Sequence, residues 1–135
     1  MFDTKIAVVL RDDLLGWQKL NACAFLVSGL VGADPELVGE RYEDAAGNVY
    51  HALIGQPIVV LESTGERLGT MRRRAIERGV RPSLYVDEMF ETGHDAANRA
   101  AVAALAPEAM RVAGLALRAE RKVADKILKG ARMHG

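Results

Sequence analysis

A short apolar strand that runs through a charged turn into a helix is the sequence feature that most restricts how this chain can fold. The strand is predicted over Lys5–Leu10, because the run is short, apolar and rich in β-branched residues. The turn contains Arg11, Asp13 and Gly16, and a helix is predicted over Trp17–Val31 directly after it. In α/β proteins, ligands bind outside the carboxyl ends of the strands, where such a turn lies. The junction therefore predicts an α/β fold and marks a candidate site.

The rest of the chain repeats this alternation of strands and helices. Apolar runs bounded by turn residues predict three further strands, over Pro57–Glu62, Pro82–Val86 and Met110–Leu117. Helical periodicity and end signals predict three further helices, over Thr64–Arg78, Ala96–Leu105 and Glu120–Lys129. A polar turn at 44–48 predicts a hairpin between Val38–Glu43 and Asn48–Leu53. Together the elements predict one domain over residues 1–135, a three-layer α/β/α sandwich with a mixed, mostly parallel central sheet.

The apolar residues of the first helix predict which of its faces packs against the sheet. Spacings of three and four residues place a stripe on one face, made of Leu20, Cys23, Ala24, Val27, Leu30 and Val31. Cys23 is therefore expected to be a packed thiol. Trp17 is expected to fill the core rather than to offer a stacking surface.

Composition and charge exclude several classes of protein. The chain has 18 basic and 18 acidic residues, so a global electrostatic attraction to nucleic acid is not expected. No apolar run reaches the roughly 20 residues of a membrane-spanning helix, and no basic leader precedes an apolar signal segment. One cysteine cannot form an internal disulfide, so a cytoplasmic protein with no membrane association is expected. Basic residues concentrate in segments 63–81 and 111–135, either as solvated helix faces or as a patch for an anion.

Several motifs, in one order along the chain, are similar to those of a known family. They are Arg11-x-Asp13-Leu14 at the turn, Lys19-Leu20 opening the helix, Gln56-Pro57-Ile58-Val59-Val60-Leu61, Ser83-Leu84-Tyr85-Val86-Asp87 and Val123-Ala124-Asp125-Lys126-Ile127. In this arrangement the chain resembles peptidyl-tRNA hydrolase II, the archaeal and eukaryotic type. The resemblance covers most of the chain except residues 33–54 and 88–108. It resembles more closely a bacterial family of uncharacterised proteins that share this fold.

The resemblance implies a site made of a lysine that opens the first helix, an aspartate that ends a late strand, and a threonine shortly after it. Lys19 and Asp87 match the first two, and Thr92 matches the third approximately, because it lies one residue further from its aspartate. The family's basic loop before the lysine is largely replaced by Gly16-Trp17-Gln18. Phosphate backbones are bound mainly by Lys and Arg, so this departure argues against tRNA as a partner. The resemblance also implies a homodimer, for which the small residues of Ala96–Leu105 are a candidate contact.

Each candidate side chain has a functional and a structural interpretation. Lys19 lies in the first helical turn, where the dipole disfavours its charge, so it suits proton transfer or an anion, or it pairs with a nearby aspartate. Asp87 either holds Lys19 or polarises a water, or it forms a turn. His94 is a candidate base, or a solvated loop residue. Arg11 and Asp13 pair with each other, or Arg11 binds a phosphate or carboxylate. No metal-ligand spacing or glycine-rich phosphate motif is present, so no metal and no cofactor are expected.

Two functions follow from these residues, and both stay open. In the first, the chain is a hydrolase of ester or related acyl bonds, in which Lys19 and Asp87 orient a water while the helix N-terminus stabilises an oxyanion. In the second, it is a non-catalytic binding module for a small anionic ligand or a peptide, with charge supplied by Arg11, Lys19 and the Arg72–Arg74 cluster. Both depend on Lys19 and Asp87 facing one cleft.

Overall fold

The strand predicted nearest the start of the chain is the centre of the sheet. The computed structural model describes residues 2–135. Its strands are β1 (Thr4–Arg11), β2 (Tyr42–Glu43), β3 (Val49–Tyr50), β4 (Ile58–Ser63), β5 (Ser83–Val86), β6 (Val112–Glu120) and β7 (Arg132–Met133). Its α-helices are α1 (Gly16–Ala33), α2 (Gly65–Glu77), α3 (Asp95–Ala103) and α4 (Arg121–Ile127). Short 3-10 turns cover Pro35–Leu37, Asp87–Phe90 and Pro107–Ala109. Each predicted strand and helix is therefore present, with ends shifted by a few residues.

The main sheet has the strand order β5-β6-β1-β4-β7. Strands β1 and β4 are parallel, whereas β6 is antiparallel to both β1 and β5, and β7 is antiparallel to β4. The prediction of a mixed sheet is confirmed, but the prediction that it is mostly parallel is wrong. The reason is that β6 inserts between β5 and β1 and runs against both. Strands β1, β4 and β5 still point the same way, so they end together at what we call the carboxyl edge.

Alternation along β1 divides the core into two halves. Ile6, Val8 and Leu10 face α1, whereas Ala7 and Val9 face α2 and α4. These side chains are almost completely buried, as expected for a central strand covered by helices on both faces. The helices therefore form the outer layers of an α/β/α arrangement.

Helix α1 presents to the sheet a face that overlaps the predicted one only in part. Its buried residues are Ala22, Leu26 and Leu30, whereas Leu20 is 76% exposed and Trp17 is 57% exposed. Of the predicted stripe, Leu30 is buried and Cys23 and Val27 pack against the core, but Leu20 and Ala24 are exposed. The predicted core position of Trp17 is wrong. Lys19 is the only charged residue of this helix, so its apolar residues surround most of the axis and their period does not select one face. Cys23 does pack against the core as expected, and burial raises the pKa of its thiol.

The ends of the elements are fixed by local polar contacts. Thr64 caps α2 as predicted, because its hydroxyl accepts a hydrogen bond from the Arg67 amide. The buried Ser63 hydroxyl donates to the Gly130 carbonyl at 3.0 Å, and Gly130 has the positive φ of 103° expected after a helix end. The predicted hairpin forms, but its ladder is limited to the two-residue strands β2 and β3. Within residues 2–135, none of the helices combines the length and apolar character needed to cross a bilayer.

Candidate functional site

Arg11, the last residue of β1, is the centre of the polar contacts at the carboxyl edge. Its Nε donates to Asp13 Oδ1 at 2.6 Å, and its Nη1 lies 2.7 Å from Asp87 Oδ1 and 3.3 Å from the Val112 carbonyl oxygen. The side chain passes close to Gly65 at the start of α2, where an added Cβ would lie 3.1 Å from Arg11 Cδ. Arg11 therefore links β1 to the end of β5 across β6, and the predicted pairing of Arg11 with Asp13 is confirmed.

The contact between Arg11 and Asp87 is an ion pair rather than an aligned hydrogen bond. Asp87 Oδ1 is buried and has no donor pointing at it in hydrogen-bond geometry, although the guanidinium nitrogen is close. Burial alone lowers the pKa of Arg11, but the close contacts with the negative charges of Asp13 and Asp87 together raise it, so the guanidinium stays charged. Oδ1 therefore faces Arg11 in the interior, and the other oxygen of the Asp87 carboxylate is the one that a ligand in the cleft could reach.

Lys19 belongs to a separate cluster around Glu62. Its Nζ lies 3.7 Å from Glu62 Oε2, while Arg132 Nε and His134 Nε2 approach the same carboxylate at 3.1 and 3.6 Å. Glu62 is on β4, beside β1, and points toward α1, whereas Asp87 follows β5, on the other side of β1 and beyond β6. The structure therefore pairs Lys19 with Glu62 and Asp87 with Arg11. It does not form the direct Lys19–Asp87 pair on which the sequence interpretation depended.

Thr92 and His94 make local contacts in the segment between β5 and α3. Thr92 Oγ1 donates to the Met89 carbonyl at 3.0 Å and also contacts Asn98 Oδ1. His94 caps α3, because its Nδ1 accepts a hydrogen bond from the Ala97 amide at 3.2 Å. Both side chains line a cavity beside α1, and neither contacts the Lys19 or the Arg11 cluster.

The basic residues of α2 serve the packing of α4. Arg74 Nη1 donates to the carbonyls of Ile127 and Lys129 at 3.3 and 2.9 Å, and Arg67 Nη1 donates to Gly130 at 3.3 Å. These carbonyls lie at or just after the C-terminal end of α4, where cations are favoured. Neither alternative predicted for this segment, a solvated helix face or an anion patch, describes these two arginines, because they hold the end of α4.

Two cavities adjoin at the carboxyl edge. The first, which we call the charged cleft, has a volume of about 400 Å³ and contains Arg11, Asp13, Asp87 and Glu91. The second, which we call the aromatic cavity, has a volume of about 490 Å³ and lies between α1, β5 and the segment that follows β5. Trp17 and Phe90 line both, so one pair of rings forms the wall between them. Sequence reasoning did not single out Phe90 or Glu62, because both contact residues that are distant in the chain.

The charged cleft is acidic. Among its lining residues Arg11 is the one cation, beside the carboxylates of Asp13, Asp87 and Glu91. A neighbouring cavity shares Asp87 and Glu91 and is lined by Glu88 and Arg111, which carry opposite charges. Lys19, the other cation expected there, is opposed by Glu62. In residues 2–135, no group of three or more His, Cys, Asp or Glu side chains has the arrangement needed to hold a metal ion.

Comparison with known proteins places the chain among proteins of unknown function. Residues 4–135 match the family described as "Protein of unknown function (DUF2000)". A solved structure of a protein of unknown function from Agrobacterium tumefaciens strain C58 is 56% identical and covers 100% of both chains, with a TM-score of 0.98. No curated protein matches the sequence significantly. The predicted kinship with an uncharacterised family is confirmed, and the resemblance to peptidyl-tRNA hydrolase II stays a prediction.

Proposed function

The chain belongs to the DUF2000 family of proteins of unknown function, and from the geometry of its charged cleft we propose that it is a binding module for a small organic cation. The observation that carries the proposal is the unbalanced charge of the cleft. Arg11, with 14% of its side chain exposed, is already held by two carboxylates, and Glu91 adds a third. One ammonium or guanidinium group from a ligand would offset half of this excess of two negative charges.

The free acceptors of the cleft support the same ligand class. Asp87 is 29% exposed, and the carboxylate oxygen turned away from Arg11 is open to a ligand. Asp13 is mostly exposed and uses Oδ1 for Arg11, which leaves its other oxygen for a ligand. A charged donor between these groups would form charge-assisted hydrogen bonds, which are about twice as strong as neutral ones.

An anionic ligand, which the sequence alone suggested, fits this cleft less well. An anion would have to displace Asp13 from Arg11 and then face Asp87 and Glu91 at short range. The arginines of α2 that form hydrogen bonds to α4 carbonyls do not line the cleft. The charge balance therefore favours a cation.

Two probes of equal size and opposite charge test the proposal. Butylamine and butyrate are titrated at equal ionic strength while backbone amides are followed by two-dimensional NMR. We expect butylamine to shift the amides of Asp13, Asp87 and Glu91, and butyrate to leave them unchanged. Asp87→Asn should weaken butylamine binding about tenfold to a hundredfold, because a hydrogen bond to a charged group contributes about 1.5–3 kcal/mol.

The matched control is Asp125→Asn, which makes the same chemical change in a carboxylate that pairs with Lys5 on the far side of the sheet. Butylamine should bind this variant as it binds the wild type. Butyrate binding in the cleft with equal or greater affinity, or identical effects of the two substitutions, would contradict the proposal.

A second candidate function, hydrolysis of an ester or related acyl bond, is favoured by one observation. Asp87 lines the charged cleft with 29% of its side chain exposed, so the carboxylate oxygen turned away from Arg11 is suited to hold and orient a water. Lys19 lies in the first turn of α1 near the same edge, although it is paired with Glu62. The test is turnover of a model peptidyl-tRNA and of an activated aryl ester by wild type, Asp87→Asn and Lys19→Ala. Equal background rates in all three would end this candidate.

A further inference from the structure

We propose that the aromatic cavity binds a flat aromatic group of the same ligand, which is therefore an arylalkylamine: a ring joined by a short linker to an ammonium. This inference rests on the proposed function of the charged cleft and adds the class of ligand that the complete site accepts. It assigns Trp17, Phe25, Tyr85 and Phe90 to the ring, and Asp13 and Asp87 to the ammonium.

The first support is the concentration of aromatic side chains at one place. The chain contains 3 Phe, 1 Trp and 3 Tyr, and four of these rings form a continuous series in the cavity. Trp17 meets Phe90 edge-on at a centroid distance of 5.9 Å, Phe90 lies 4.9 Å from Tyr85, and Tyr85 lies 6.2 Å from Phe25. Aromatic pairs in this distance range attract each other beyond the effect of buried area, and a fifth ring would extend the series.

The second support is the exposure of two of these rings. Trp17 and Phe25 are each 57% exposed, although both line the cavity. Large aromatic side chains usually bury 150–250 Å² each, so contact with a ligand ring would remove a large apolar area from water. Gly29 lets α1 approach β5 closely beside the cavity, because an added Cβ there would overlap the Ser83 hydroxyl.

The third support is the absence of free charge in the aromatic cavity. Among residues 2–135, no lysine or arginine lines it, and its one carboxylate, Asp95, is paired with Arg99 at 2.6 Å. His94 also lines it and caps α3 through Nδ1, and the other polar residues, such as Asn21, Ser28 and Asn98, are uncharged. The volume of about 490 Å³ lies within the range of small-molecule sites. The cavity therefore suits an uncharged ring, whereas the adjoining cleft suits a cation.

The shared wall sets the length of the linker. Trp17 and Phe90 line both cavities, so a ligand that occupies both passes over this pair of rings. A linker of a few atoms keeps the ammonium beside the indole, where a cation is attracted to the ring face. Phenethylamine, with two carbons between ring and nitrogen, is the simplest probe with these properties.

Trp17 is the only tryptophan of the chain, so its fluorescence reports binding at the shared wall. Phenethylamine, 2-phenylethanol, 3-phenylpropionate and butylamine are titrated into the full-length protein at equal ionic strength. We expect phenethylamine to bind at least tenfold more tightly than each of the other three. Phe25→Ala should weaken phenethylamine about fivefold and leave butylamine unchanged.

Leu20→Ala is the matched control, because Leu20 is an exposed apolar residue of the same helix and lines neither cavity. It should leave all affinities unchanged. Butylamine binding as tightly as phenethylamine would overturn this inference and leave the proposed function standing. Equal binding of phenethylamine and 2-phenylethanol would overturn it together with the cationic cleft. Failure of phenethylamine to bind, or equal effects of Phe25→Ala and Leu20→Ala, would also overturn it.

Discussion

Replacement of Arg11 by methionine tests whether this side chain holds the carboxyl edge together. Methionine keeps most of the apolar stem that packs near Gly65 but removes the guanidinium that contacts Asp13, Asp87 and the Val112 carbonyl. Asp87 would then keep a buried oxygen with no cation beside it. We expect the variant to fold with reduced stability.

The size of the loss follows from how exposed the pair is. Breaking a fully buried ion pair costs about 3–5 kcal/mol, and an exposed pair contributes about 0–1 kcal/mol. Arg11 and Asp87 are 14% and 29% exposed, so solvent screens part of the interaction and a loss between these limits is expected. We therefore expect Arg11→Met to lower the free energy of unfolding by about 2 kcal/mol. In a chain of this length that corresponds to a fall in Tm of roughly 8 °C.

Urea unfolding of a double-mutant cycle measures the coupling directly. Arg11→Met, Asp87→Asn and the double variant are compared with wild type at neutral pH. Because the two side chains are in contact, the effects should be non-additive by about 1–2 kcal/mol. Asp13→Asn should cost under about 1 kcal/mol, because Asp13 is mostly exposed. Additive effects, or a loss below about 0.5 kcal/mol for Arg11→Met, would refute the reasoning.

The remaining predictions concern other parts of the chain. Gly114→Ala should lower the free energy of urea unfolding by about 1–3 kcal/mol, because the added methyl group would press on the β1 backbone and the core. Gly69→Ala, at an open position of α2, should raise the free energy of unfolding by about 0.5–1 kcal/mol. Equal effects of the two substitutions would contradict this contrast. Hydrogen bonds from Tyr50 and the following turn lower the pKa of Asp44 from 3.8 to about 2. The stabilisation of the hairpin by Asp44 should be complete above about pH 4 and lost as the pH falls through 2. The NMR signals of Tyr50 measure this change, and Asp44→Asn should remove their pH dependence. Burial raises the pKa of Cys23, so iodoacetamide should modify the folded protein more slowly than the urea-unfolded protein at pH 7, and equal rates would be inconsistent with a packed thiol.

The strands and helices were predictable because their signals are local. The apolar run before Arg11, the Thr64 cap and the Gly130 stop each lie within a few residues of the element they define. Strand pairing was less predictable, since the insertion of β6 between β5 and β1 joins segments distant in sequence. The rotation of α1 was also hidden, because a helix that is apolar on most sides carries no period that selects a face.

The candidate site was predictable in position but not in its pairing. The turn after β1 lies at the carboxyl edge as predicted, and Asp87, which directly follows β5, lies at the same edge. The pairing of Lys19 with Glu62 was not predicted, because nothing in the sequence distinguishes Glu62 from any other polar residue at the end of a strand. The aromatic cavity was missed because its rings come from α1 and from the segment around β5, which only the fold brings together.

A crystal structure of the protein with phenethylamine tests the central claim most directly. We expect the ammonium nitrogen within about 3 Å of an Asp87 or Asp13 carboxylate oxygen, and the ring against Trp17 and Phe25. A ligand that places its ring in the charged cleft and its nitrogen in solvent, or that occupies another surface, would contradict the assignment of this edge as a site for organic cations.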